Sequence, residues 1–319
     1  MTSNLKESVT ESTFASMDEV QHWVLTTLLD GGHRVAPRHE PTLERLGVVF
    51  TLRNPRRRCI LNAARRWSLP LAVGEFCWHV AGSHDATFLS YYARRWADFA
   101  VADSTIQGSC YGYKAFAGRP SRWDRLVNLL RFDPETRRAV LVFQDPDGMF
   151  DTHSVDVACA STLQFLIRNE RLHAVCNMRS NDAIWGLPYD VFLFTMLQEL
   201  LACQLGLELG EYHHCAGSLH VYERHIELSR RILAGVTDAH FEMPAMQACE
   251  QLTMFLQGES SIRTGSANDD TYLSLDPYWR ELLAVLSWFR HAKHESASES
   301  TVPPPMGFRY QQFLSLLRV

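Results

Sequence analysis

The chain has 319 residues, 46% of them apolar and 21% charged, with a formal net charge of -5 at pH 7. That length suits one large domain or two small ones, and the composition is that of an ordinary globular protein. An acidic balance argues against broad binding to nucleic acid or to an anionic membrane surface.

Residues 1–16 are polar, lack the basic-then-apolar order of a signal peptide, and are expected to be a disordered tail. MDEVQHWVLTTLLDGG follows as a helix over 17–32, with Val20, Trp23, Val24 and Leu28 at helical spacing and Gly31-Gly32 as its stop. GVVFTL, 47–52, reads as a strand, and 69–80 and 86–99 read as helices flanking Gly82-Ser83. A helix is expected over 123–131, then a short strand in RRAVLVFQ. STLQFLI and RLHAVCNM form a hairpin turning at Arg168-Asn169-Glu170. Residues 190–206 are apolar nearly all round and read as a buried helix. GSLHVY reads as a strand, and 223–234, 244–257 and 277–291 as helices. HAKHESASESTVPPPM is a flexible linker, and FRYQQFLSLLRV closes the chain as a segment that docks on the body. Strands mixed with helices in irregular order point to an α/β (α+β) fold.

The most apolar run, VFLFTMLQELLACQLGL, is broken by Gln198 and Glu199 and is short for a bilayer span, so no membrane partner is expected. Eight cysteines without a C-x-x-C pair fit a reducing cytoplasm. No Gly-rich dinucleotide or phosphate loop is present. HHC at 213–215, with His220 and His225, fits no zinc spacing, and no metal is expected. Cys159 lies directly before an apolar strand. A packed core thiol is the ordinary fate of such a residue; a nucleophile needs nearby positive charge, which Arg179 on the opposite hairpin arm can supply. Arg38, Arg137, Arg138 and Arg179 each read alone as surface charges; together with Ser180 they suit a phosphate cage.

Six segments, in order, resemble motifs of the thymidylate synthase family. They are GEFCWHVAGS with Glu75, Trp78 and Gly82; GSCYGY with Tyr111; DPETRRAVLVF with Arg137 and Arg138; Cys159 itself; MRSNDAIWGLPYD; and GSLHVYERH with His220 and Tyr222. The resemblance spans about residues 18 to 230. It implies a mixed sheet with surrounding helices as a catalytic domain over 17–230, a helical C-terminal extension over 231–319 packed on it, and a linker at 292–306. It also implies a homodimer acting on a nucleoside monophosphate, with methylenetetrahydrofolate as cosubstrate. By the same resemblance Cys159, Glu75, Tyr111 and Asp190 are catalytic. Arg38, Arg179 and Ser180 bind phosphate, joined by Arg137 and Arg138 from the other subunit. Asp190, His220 and Tyr222 bind base and sugar, and Asp182, Gly186 and Trp78 bind folate.

Asp190 stands where the family's synthases have asparagine. A carboxyl suits the amino group and ring nitrogen of cytosine; uracil's oxygen would face it unpaired, at about 1–3 kcal/mol. An acid here is typical of the family's cytidylate hydroxymethylases. Ala160, Met178, Ser218 and Ala93 replace the usual His, Gln, Asp and a folate-facing Trp. Loosening the folate side while keeping Glu75 favours water over hydride as the final nucleophile. The expected activity is thus hydroxymethylation of CMP or dCMP. The rivals are reductive methylation of dUMP, UMP or CMP, and a non-catalytic nucleotide- or RNA-binding relative.

Overall fold

The hairpin expected from 161–178 forms, and the rest of the sheet is built outward from it. The computed structural model describes residues 12–101, 103–146, 148–235, 241–266, 274–294 and 309–314. Its strands are β1 (Ser12–Phe14), β2 (His33–Val35), β3 (Thr42–Leu52), β4 (Val140–Val142), β5 (Ala160–Arg168), β6 (Arg171–Met178), β7 (Asn181–Asp182) and β8 (Glu208–Tyr222). They form one mixed sheet in the order β1-β3-β8-β6-β5-β4, with β2 paired to β3 and β7 to β8. The tight turn between β5 and β6 uses Asn169 and Glu170 at φ 52° and 61°, the left-handed pair that matches strand twist.

The helices are α1 (Met17–Gly31), α2 (Leu69–Val80), α3 (Ala86–Tyr92), α4 (Tyr111–Phe116), α5 (Arg122–Phe132), α6 (Leu187–Leu205), α7 (Ile226–Ala234), α8 (Leu252–Thr264), α9 (Pro277–His294) and α10 (Gln311–Leu314). α1 and α6 lie on the sheet, and α2 packs against α6. Leu163 and Phe165 of β5 and Leu172, Ala174 and Cys176 of β6 alternate into that interface and are fully buried. Apart from half-buried Asp190, α6 is buried from Leu187 to Ala202, as its nearly all-round apolar sequence requires. At about 1.5–3 kcal/mol per large apolar side chain, this central helix anchors the fold.

Several expectations change. Ser12–Phe14 is ordered, not part of a tail, because it pairs in parallel with Phe50–Leu52 and Phe14 packs on Trp23 at 5.2 Å. The strand at 47–52 begins five residues earlier, and GSLHVY is only the end of the fifteen-residue β8. The segment 86–99 is not one helix: Ala93 is extended (φ −148°, ψ 112°), and a 3-10 turn over Arg94–Phe99 follows. The helix expected at 244–257 sits later. The backbone at 241–248 is instead held against the body, with Met243 N–H donating to the Arg56 carbonyl and Met246 N–H to Glu199. α9 runs through His294 and absorbs the first residues of the expected linker; 295–308 and 315–319 lie outside the described residues, as do 1–11.

The C-terminal helices share the main core. α8 and α9 pack on α2. Buried Glu259 of α8 accepts from the Tyr92 hydroxyl at 2.7 Å and from Arg263 Nε at 2.8 Å. Tyr310 and Phe313 are fully buried beside Phe241. Buried Glu199 of α6 pairs with Arg56 and with the fully buried Arg58. Among the described residues, no helix is long and apolar enough to cross a membrane.

Candidate active site

The register of the hairpin builds the centre of the site. Ala160 pairs with Met178, so Cys159 and Arg179, the next residues out, face each other where the two strands part. The Arg179 N–H donates to the Cys159 carbonyl at 2.8 Å. The Arg179 guanidinium donates to the carbonyls of Val157 and Ala158, both at 2.9 Å, and comes within 3.9 Å of the Cys159 sulfur. Beyond Arg179 the chain re-pairs as β7, with Asn181 beside Leu219 and Asp182 beside His220. Asp182 then caps the next turn, accepting from the N–H groups of Ile184 (2.9 Å) and Trp185 (3.1 Å). Gly186 ends that turn, and Asp190 falls in the first turn of α6.

These groups open onto a cavity of about 320 Å³. Cys159, Glu75, Tyr111, Asp190, Arg38, Arg179, Ser180, Asp182, Gly186, His220 and Tyr222 all line it. The residues the sequence singled out therefore converge from α2, α4, the β5–β6 hairpin, α6, β8 and the loop before β3. Three do not. Trp78 is fully buried, with its indole N–H donating to the Asp85 carbonyl at 2.9 Å, and stands behind Trp96, 6.1 Å away. Arg137 and Arg138 lie exposed just before β4, outside this cavity.

The electrostatics of the cleft are set by burial. Cys159 has its thiol pushed up to about 11: desolvation outweighs the lowering effect of Arg179, while Asp190 and Asp156 raise it further. The charge expected from Arg179 is present, yet it does not make a resting thiolate. Glu75 is pushed up to about 8 by desolvation, opposed by the Trp96 indole donating to its carboxyl at 3.0 Å and reinforced by Asp190. Asp190 is pushed up to about 7 by desolvation, opposed by the Asn181 amide donating to Oδ2 at 2.7 Å. The cleft thus holds two carboxyls that exchange protons near neutrality, the range in which acid–base catalysis works best. Tyr111, buried, accepts from the Ala160 N–H at 3.2 Å beside the thiol, and burial keeps its phenol protonated. His79, neutral because burial pushes it down to about 3, stacks on Tyr111 and accepts from the Gly112 N–H at 2.9 Å. A Cβ at Gly112 would lie 2.0 Å from the His79 carbonyl oxygen, so only glycine permits this approach of α4 to α2.

Sequence reasoning missed several lining residues. Trp96 reaches the cleft because Ala93 breaks the helix before it. Trp185, 39% exposed, lies at the cavity wall with the guanidinium groups of Arg65 (5.3 Å) and Arg95 (5.1 Å) against its ring. Asn181 and Asp156 also line the cavity. Asp156 accepts from the N–H groups of Gly108 and Ser109 and so fixes the loop before Tyr111. A lone tryptophan followed by glycine, or an asparagine inside RSND, carried a signal only as part of the motif.

The histidines at 213–215 divide between the two faces of β8. His214 points inward, whereas His213 points outward and comes together with His173 and Glu211, away from the cavity.

The sequence pattern that defines the family described as thymidylate synthase matches residues 23–263. A deoxyuridylate hydroxymethyltransferase of Bacillus phage SP01 is 31% identical over 214 residues, 62% of this chain and 55% of that protein. A thymidylate synthase of Francisella tularensis subsp. holarctica is 26% identical over 194 residues, covering 54% of this chain and 70% of its own. One of Bacillus subtilis subsp. natto is 33% identical over 141 residues, 41% of this chain and 49% of that protein. The chain thus spans about half the length of two of these relatives and 70% of the third. The family pattern runs through every strand from β3 to β8 and every lining residue of the cleft, and the chain belongs to the thymidylate synthase family.

Proposed function

We propose that this chain is a folate-dependent cytidylate hydroxymethylase, which transfers a one-carbon unit from methylenetetrahydrofolate to carbon 5 of CMP or dCMP and hydrates it. The observation that carries this reading is the Asp190 carboxyl, facing the same cleft as Cys159 and held by Asn181.

In this reading Cys159 adds to ring carbon 6 of the base, and carbon 5 becomes nucleophilic toward the folate's methylene group. Covalent addition divides one difficult substitution into easier steps. The thiol begins protonated, and Arg179 at 3.9 Å stabilises the developing thiolate as the proton leaves. Asp190 accepts from the cytosine amino group and shares a proton with the neighbouring ring nitrogen. Loss of the carbon 5 proton and then of the folate leaves a methylene on carbon 5, water adds to it, and the bond from Cys159 to carbon 6 breaks to release the product as a thiol re-forms; Glu75 moves the protons of these steps. Arg38, Arg179 and Ser180 hold the phosphate with Arg137 and Arg138 of a second copy, so the working unit is a homodimer. His220 and Tyr222 hold the sugar. Asp182 and Gly186 hold the folate, with Trp96 and Trp185 supplying the aromatic faces that Trp78 cannot.

The second reading keeps the chemistry and changes the base. It is favoured by the phage relative, whose name specifies deoxyuridylate. Reductive methylation is the alternative suggested by the relatives named thymidylate synthase. Incubation with CMP, dCMP, UMP and dUMP in competition, with methylenetetrahydrofolate, separates all three by mass spectrometry. The expected result is a cytidylate heavier by one formaldehyde unit, with tetrahydrofolate released. A product from uridylates alone, or a methyl product with dihydrofolate, defeats the proposal. Complete absence of folate-dependent tritium release from carbon 5 would instead favour a non-catalytic binder.

A further inference from the structure

Behind Asp190 lies a line of buried polar groups that the reaction does not touch. Asn181 Nδ2 donates to Asp190 Oδ2 at 2.7 Å. Asn181 Oδ1 lies 3.0 Å from His214 Nε2, and His214 Nδ1 lies 2.9 Å from the Tyr212 hydroxyl. The Cys176 thiol also hydrogen-bonds with that hydroxyl. Asn181 is 2% exposed, and Tyr212 and His214 are wholly buried.

The polarity of this line follows from its members. His214 is neutral, because burial pushes it down to about 3, so it has one N–H and one bare nitrogen. Tyr212 keeps its proton, since burial pushes its phenol well up. The phenol donates better to a bare imidazole nitrogen than to a thiol, which is a weak acceptor. His214 therefore carries its proton on Nε2 and gives it to Asn181 Oδ1. That fixes the amide, with its NH2 toward Asp190.

We propose that Tyr212, His214 and Asn181 are positioning residues that determine which oxygen of Asp190 accepts, and thereby set the choice between cytosine and uracil. The inference rests on the reading of Asp190 as the base-reading group. A carboxylic acid on its own is ambiguous. With the proton on one oxygen it matches the amino group and bare ring nitrogen of cytosine; with the proton on the other it matches the carbonyl and ring N–H of uracil. Asn181 removes the ambiguity, since an oxygen that accepts its N–H disfavours holding the acid proton as well. Only one donor–acceptor pattern then faces the base, and under the reading above it is the cytosine pattern.

The test compares kcat/KM and equilibrium binding for a cytidylate and the matching uridylate in the full chain and in Asn181→Ala, Tyr212→Phe and Asp190→Asn. Asn181→Ala is expected to lower the cytosine-to-uracil ratio about tenfold, the size of one misplaced hydrogen bond, through a gain with uridylate. Tyr212→Phe, which keeps the ring and its packing, is expected to lower it about threefold. A structural role alone would weaken both nucleotides in proportion and leave the ratio unchanged, which would overturn the proposal. If Asp190→Asn shifts the ratio while Asn181→Ala and Tyr212→Phe do not, the relay is wrong and the reading of Asp190 stands. If Asp190→Asn also leaves the ratio unmoved, both fail.

Discussion

Glu75, the proton carrier of the proposed reaction, is a buried carboxyl held at a cost in stability. It sits in the middle of α2, 9% exposed, with one indole N–H as its hydrogen-bond donor. Desolvation first, and the nearby Asp190 in addition, push it up to about 8, against the pull of Trp96. The folded protein therefore holds a proton that the unfolded chain releases near pH 4.5. Its contribution to stability is complete below that pH and is lost as pH rises through about 8. Glu75→Gln keeps the shape and cannot ionise. Its melting temperature should match the wild type near pH 4 and exceed it increasingly toward pH 9. The gap at high pH is expected to be on the order of a few kcal/mol, while turnover is lost. A gap that stays constant with pH would show that Glu75 ionises freely, and its place as the proton carrier would fall with it.

At the scale of elements, the C-terminal helices brace the segment that brings Trp96 to Glu75. α3 ends at Tyr92, one residue before the break at Ala93. The Tyr92 hydroxyl donates to buried Glu259 of α8, and its ring lies so close to α2 that a Cβ at Gly74 would come within 2.5 Å of it. Tyr92→Phe leaves the packing and removes one buried charge-assisted bond. It should lower the unfolding free energy by about 1–3 kcal/mol, read as a lower denaturant midpoint at unchanged slope. An unchanged midpoint would mean that α8 does not brace this corner. The same contacts explain what was legible in the sequence. α1, the β5–β6 hairpin and α6 announce themselves through local periodicity and turn residues, and each formed where expected. β1 exists because Phe14 finds Trp23 and Phe50, and 241–248 avoids a helix because Arg56 and Glu199 bind its backbone. Phe50, Arg56 and Glu199 are remote in sequence from the segments they hold, and no local pattern contains them. Most of the lining of the candidate cleft was legible through six motifs; Trp96 and the hydrogen-bonded line from Asn181 to Tyr212 were not, since they depend on which side chains meet in the fold.

At the scale of the whole molecule, the sheet is covered by helices on one face. The other carries Leu166, Val175 and Cys215, half-buried, with Leu46 and Val142 exposed to 70% and 50% at its margins. Arg137 and Arg138 stand at the β4 edge of the same sheet and do not reach their own cleft. A homodimer joined through this face would account for both features, because an isologous interface lets each protomer lend its arginines to the other's site. That arrangement has a consequence no monomer shares. Cys159→Ala lacks the nucleophile but keeps its arginines; Arg137→Ala/Arg138→Ala keeps the nucleophile but lacks them. Each alone should be nearly inactive. After the two are mixed under conditions that exchange subunits, half the dimers are hybrids. In each hybrid one cleft combines an intact Cys159 with intact arginines from its partner, so about one site in four should work. Recovery toward a quarter of wild-type turnover, with KM for the nucleotide restored, is the expected outcome. If the mixture stays inactive although light scattering shows exchanged dimers, the arginines do not act across the interface. If the double arginine variant alone retains full phosphate affinity, they do not act on the substrate at all.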